Sequence, residues 1–262
     1  MRGRPVRQPE VARESGASPM DLYLSPHCDD VCFSLGALAH RRQAGTLLTI
    51  LPISGYVPSR PGVPRPPAEQ VTRRRMEEDA RFAAACNMRL RFLEMGCATY
   101  LGHRSRDLRW VEQNVRRIGP VLMAALSDWA ARCQPGDRPW LFCPSGIGGH
   151  VDHVAVRMVV TRHLEQLAGH FRPAFYEDLH YASDPVARWS GIAGLLRELP
   201  GRSYRRQRWP LGDGVATKLA LIRLYGSQFL ELPQSIERFT PASETFAQPH
   251  EAIWTEEPGG PA

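Results

Sequence analysis

The chain has 262 residues, 43% hydrophobic and 23% charged. That is the balance of an ordinary globular protein and excludes disorder along the whole length. The length suits one large or two small domains. The longest apolar stretches, such as 45–53, fall well short of the ~20 residues of a membrane helix. Residues 1–19 are polar and basic and read as a flexible tail without a secretory leader. The net charge is +6, carried by arginine, with Lys218 the only lysine. The arginines are spread along the chain, which argues against a nucleic-acid footprint. Two groups stand out, Arg73-Arg74-Arg75 and Arg205-Arg206-Gln207-Arg208. Each reads as a solvated face, with an anion site as the functional alternative. Six scattered cysteines form no CxxC pair and read as reduced thiols of a cytoplasmic protein.

In chain order, 22–24 is a short apolar strand. Residues 31–43 have helical spacing, closed by Gly45. A second strand spans 47–53. Residues 54–67 hold five prolines and form a loop. A helix follows over 68–86, then a strand at 90–95. A long helix covers 107–132, with a break expected near Gly119-Pro120. A strand at 140–143, a helix at 154–167 and a strand at 174–177 complete the alternation. Beyond lie helices at 185–199 and 212–229 and one strand at 202–209. Alternating strands and helices, with strands apolar throughout, predict an α/β fold. The sheet is Rossmann-like and mostly parallel, with helices on both faces. The expected organisation is a single catalytic domain over 20–232. Residues 233–262 are expected to pack on the surface or to be partly disordered.

Sites in such sheets form beyond the carboxyl ends of the strands. After the first strand comes Ser25-Pro26-His27-Cys28-Asp29-Asp30. After the fourth comes Pro144 to His153, including Gly149-His150-Val151-Asp152-His153. The two loops together offer His27, Asp29, Asp30, His150, Asp152 and His153. Three of these can hold a metal with an open position. The remaining carboxylate and histidine can act as base and acid.

These two segments resemble the (P/A)HxDD and HxDH motifs of the LmbE-like, or PIG-L, zinc de-N-acetylases. The resemblance runs from about residue 20 to 232. Tyr176 to Ala182 is similar to the family's YEDLPYA segment, 218–228 to its closing helix, and Arg75-Met76-Glu77-Glu78 to its RxxE start. The resemblance implies zinc on His27, Asp30 and His153, with Fe(II), Co(II) or Mn(II) also fitting such a donor set. It implies Asp29 as general base, His150 as the group that stabilises or protonates the tetrahedral intermediate, and Asp152 as the carboxylate that orients a histidine. The implied activity is removal of an acyl group from an N-acylated amino sugar or glycosylated metabolite. The implied partner is a small molecule, with neither nucleic acid nor membrane. The chain departs from the pattern at Cys28, Val31, Cys97 and Gly148. Arg75, His180, Tyr225 and Gln228 are candidate substrate-binding residues, the last two placed on one face of the closing helix. His40, His103, His163, His170 and His250 read as surface or packing residues.

Competing readings are an amidase for a larger amide such as a thiol-sugar conjugate, a non-haem Fe(II) oxygenase using His150 and Asp152 in an HxD…H triad, and a non-catalytic binding module. A Pro-rich loop leaving strand two on the same edge as both motifs is expected at the substrate entrance.

Overall fold

The computed structural model describes residues 21–59, 61–134, 136–242 and 247–256. The expected N-terminal tail lies outside them. Seven strands form one sheet: β1 (Leu22–Ser25), β2 (Thr46–Thr49), β3 (Arg89–Phe92), β4 (Trp140–Pro144), β5 (Arg172–Tyr176), β6 (Tyr204–Pro210) and β7 (His250–Glu256). The helices are α1 (Asp30–Arg42), α2 (Ala68–Ala85), α3 (Val111–Ala130), α4 (Val151–Arg162), α5 (Leu164–Ala168), α6 (Pro185–Arg197) and α7 (Val215–Ile222). The order across the sheet is β3-β2-β1-β4-β5-β7-β6. The first five are mutually parallel, and β7 runs antiparallel to both of its neighbours. The fold is therefore the α/β arrangement, mostly parallel, that the alternation predicts.

Strand order reverses between β1 and β4, so the crevice beyond their carboxyl ends is the switch point at which such sheets place a site. Successive strand residues point to opposite faces, and the core follows that rule. Leu22 and Leu24 join one buried layer with Val115, Ile118, Leu122 and Leu126 of α3. Tyr23 joins the other with Val31, Leu35 and Leu38 of α1 and Phe82 of α2. With both faces covered, β1 has no room for the polar alternation of a half-exposed strand.

Four elements differ from expectation. Helix α3 is unbroken through Gly119-Pro120. Pro120 removes one main-chain hydrogen bond, while the apolar stripe on either side of it stays packed against the same layer. Helix α4 begins at Val151 instead of 154, because the His150 side chain accepts the Asp152 N–H at 3.3 Å and caps it. The closing helix ends at Ile222, and 226–228 form a separate short turn. Tyr225 and Gln228 therefore do not share a helix face. Finally, the segment after 232 is more than a surface wrap, since it returns to the sheet as β7 between β5 and β6. Among the described residues no helix is long and apolar enough to cross a membrane.

Candidate metal centre

Both motif loops leave the sheet at the switch point and meet there. The turn after β1 carries His27, Asp29 and Asp30. Asp29 precedes α1 at φ 123°, a conformation that non-glycine residues rarely hold without compensation. The compensation is on its side chain: Arg75 of α2 donates to its carboxylate at 3.1 Å and to the Cys28 carbonyl at 2.7 Å. Arg75 also reaches Ser54 Oγ at 3.2 Å. Burial pushes the Asp29 carboxyl up to about 7, against the pull of Arg75.

From the other side, α4 supplies His150 at its cap and His153 in its first turn. Asp30 Oδ2 lies 3.2 Å from His27 Nδ1 and 3.3 Å from His153 Nε2, and those two nitrogens are 3.3 Å apart. Ligands about 2.0–2.1 Å from a tetrahedral zinc sit about 3.3 Å from one another, so this triangle has the edge lengths of one face of such a shell. Each histidine is backed by a carboxylate on its far nitrogen. His27 Nε2–H donates to Asp152 at 3.0 Å, and His153 Nδ1–H donates to Asp178 at 2.7 Å. That fixes the orientation of both rings, so that His27 Nδ1 and His153 Nε2 face Asp30 and would present lone pairs there once a metal displaced their second protons. Burial opposes charge on both rings, but the surrounding carboxylates outweigh it and hold both pKa values up, that of His27 at about 9. The donor set fits a divalent ion.

His150 belongs to the same cluster. One nitrogen from each of His27, His150 and His153 lies within 4.8 Å of the others. Burial first, and then the neighbouring His27 and His153, depress the His150 pKa far below the usual imidazole range. Its Nδ1 accepts the Asp152 N–H, so the neutral ring carries its proton on Nε2.

Asp152 is fully buried. Besides His27, it accepts the Ala98 N–H at 2.9 Å and Asn114 Nδ2–H at 3.2 Å. Both of its oxygens are engaged in holding His27, Ala98 and Asn114, which disfavours Asp152 as a ligand in an HxD…H triad and so disfavours the oxygenase reading. Asp178 and Asn114 were missed from the sequence. Asp178 lies inside the YEDLHYA segment, and only the fold brings its carboxylate behind His153.

The cluster opens into a cavity of about 940 Å³. Its walls include Arg75, His180 and Gln228, together with Ser54, Tyr56 and Pro58 of the Pro-rich loop. Tyr225 does not reach it. That side chain is buried, packs on Phe33 and Phe82, and donates to Asp79 at 2.8 Å. Cys97 lines the cavity and Cys28 does not. Arg106, Phe229, Leu230, Glu231 and Arg238 are wall residues that sequence patterns did not single out. At Gly148, φ is +85° and an added Cβ would meet Tyr181 at 2.5 Å, so Tyr181 fills the space that a side chain at 148 would take.

No family model matches the chain. It is 32% identical over 191 residues to a 2'-N-acetylparomamine deacetylase of Streptomyces fradiae. The match covers 69% of the chain and 63% of that relative's length, so the chain spans less than two thirds of it. A deacetylase of the teicoplanin biosynthesis pathway superposes with a TM-score of 0.66 at 16% identity, covering 90% of this chain and 98% of that one. An N,N'-diacetylchitobiose deacetylase from Pyrococcus horikoshii gives 0.53 at 12% identity, covering 92% and 85%. In fold the chain is similar to these deacetylases, and its two motifs at the switch point resemble those of the LmbE/PIG-L-type de-N-acetylases.

Proposed function

We propose that the protein is a metal-dependent de-N-acylase that hydrolyses the amide of an N-acetylated amino sugar or a glycosylated metabolite. The observation that carries this reading is the His27–Asp30–His153 triangle, which lines an open cavity together with Asp29 and His150. The relative that acts on 2'-N-acetylparomamine supports an amino-sugar substrate. A larger amide is the second substrate class that a cavity of this size admits. We assign residues 20–232, completed by β7, to one catalytic domain in the cytoplasm.

His27, Asp30 and His153 would hold the ion, with zinc the metal this donor set suits best. When bound, it supplies polarisation of the amide carbonyl and acidification of the attacking water. Asp29 takes the water's proton. Burial raises its basicity above that of a free carboxylate, and Arg75 keeps it aimed. His150 offers a neutral Nε2–H to the oxygen on which negative charge develops. The proton on Asp29 then passes to the departing nitrogen, and the amine leaves as acetate is released.

The test is acetate release from N-acetylated amino sugars by the metal-loaded enzyme. Asp29→Asn should retain the metal and lose turnover by ~10²-fold or more, as expected for a positioned base. An unimpaired Asp29→Asn enzyme removes Asp29 from the reaction.

A further inference from the structure

We infer that Arg106 and Arg238 form an anion subsite on the cavity wall, and that the substrate carries a carboxylate or phosphate beyond its N-acyl group. This rests on the de-N-acylase reading above and narrows it. Arg106 and Arg238 come from separate segments and line one cavity with an aromatic shelf of His180 and Tyr181. The Arg106 guanidinium lies 5.6 Å from the Tyr181 ring centroid, and the His180 ring lies 4.7 Å from that of Tyr181. His180 in turn packs at 6.4 Å against Phe239, the neighbour of Arg238. Both arginines and both shelf residues line the cavity. The 99–110 segment is anchored where Val151 N–H donates to the Ser105 carbonyl at 2.8 Å, which ties the approach of Arg106 to the start of α4.

Charge accounting separates these arginines from the third on the wall. Arg75 is buried and committed to Asp29. Among the described residues, neither Arg106 nor Arg238 has an ion-pair partner, and both are solvent-accessible. Asp29 and Asp30 are held by Arg75 and by the two histidines, leaving Glu231 as the one other carboxylate on the described wall. His180 adds no charge at neutral pH, since burial and then Arg238 hold it down to about 4. Among the described residues, the outer cavity therefore presents two guanidiniums without an ion pair against one carboxylate. Guanidinium is the side chain best matched to carboxylate and phosphate. A polycationic amino sugar such as paromamine would meet like charge there.

The experiment compares kcat/KM of the zinc-loaded enzyme for N-acetylglucosamine, N-acetylglucosamine 6-phosphate and N-acetylmuramic acid. We expect at least one anionic probe to exceed the neutral one by about 10-fold or more, the ratio of one charge-assisted contact. That ratio should fall toward one in the R106Q/R238Q double variant and on raising salt. Binding of glucosamine 6-phosphate against glucosamine, measured by calorimetry, reads the same preference without turnover. Acetate release from no probe, with the phosphate sugar still bound selectively, would overturn the catalytic reading and keep the subsite. Hydrolysis with no anionic preference, or a preference unchanged in the double variant, would overturn the subsite and keep the catalytic reading.

Discussion

Two donor sets share the centre, and a metal assay separates them. The Asp30 carboxylate sits 3.2 and 3.3 Å from His27 Nδ1 and His153 Nε2. His150 is in reach of both, but only within a looser 4.8 Å group. If Asp30 is the third ligand, Asp30→Ala should lose most of the bound metal, as should His27→Ala and His153→Ala. His150→Ala should retain about one ion per chain, and its defect should fall on kcat more than on KM, because its contact strengthens in the transition state. Metal analysis after gel filtration decides the matter. Retention in Asp30→Ala with loss in His150→Ala would assign the ion to three histidines. The candidate ligands and base were legible in the sequence because all of them lie in two short segments that follow parallel strands. Asp178 and Asn114 were not, because their roles depend on which side chain the fold sets behind which ring.

Between elements, buried polar groups act as ties, and two of them make measurable claims. Helix α1 is kinked at Leu35, where φ is −129° and ψ is 19°. Beyond the kink, Ala37 and Leu38 N–H donate to the Glu251 carboxylate of β7 at 2.8 Å each. Lys218 of α7 neutralises that carboxylate at 2.8 Å, and both side chains are fully buried. Lys218→Met leaves a buried charge unpaired, which costs about 3–5 kcal/mol; thermal melting should show it as a large drop in Tm with metal affinity preserved in the folded fraction. On α2, Asp79 accepts Thr49 of β2 at 2.6 Å and Tyr225 at 2.8 Å. Burial, only partly offset by these hydrogen bonds, raises its pKa from 3.8 to about 6. Between about pH 4 and 6 the folded state then holds a proton that the unfolded state has lost, so this group's contribution to stability falls as pH rises through that window. Relative to Asp79→Asn, the wild type should lose Tm between pH 4.5 and 7; a constant difference would show that Asp79 is ionised throughout. The same burial explains what the pattern hid. Strand β7 is covered on both faces and carries Glu251 inward, so it lacks the alternation that marks a strand. Past Ile222, Leu224, Tyr225 and Phe229 keep an apolar pattern while the backbone has left the helix.

At the scale of the whole molecule, one cavity beyond the sheet edge gathers the candidate metal ligands, Arg106 and Arg238, and the start of the Pro-rich connection between β2 and α2. A connection of this length without its own secondary structure is uncommon and is usually functional. Its two ends differ in role. At the start, Ser54 is buried, exchanges hydrogen bonds with Thr72 and accepts from Arg75, the residue that aims Asp29. Further on, Tyr56 and Pro58 line the cavity, and Tyr56 is 54% exposed. Prolines restrict the unfolded backbone, so holding this segment as a wall costs less entropy than holding a glycine-rich one. Replacing 56–66 by a short Gly-Ser turn, with Ser54 left in place, should therefore raise KM and shift selectivity among N-acyl substrates while metal content and the effect of Asp29→Asn stay the same. Extending the deletion through Ser54 should in addition lower kcat, since Arg75 loses a partner. Steady-state kinetics on the two replacements separates these outcomes. Unchanged KM and selectivity in the shorter replacement would make the segment a surface connection and leave the mouth of the cavity to the 99–110 and 228–238 segments.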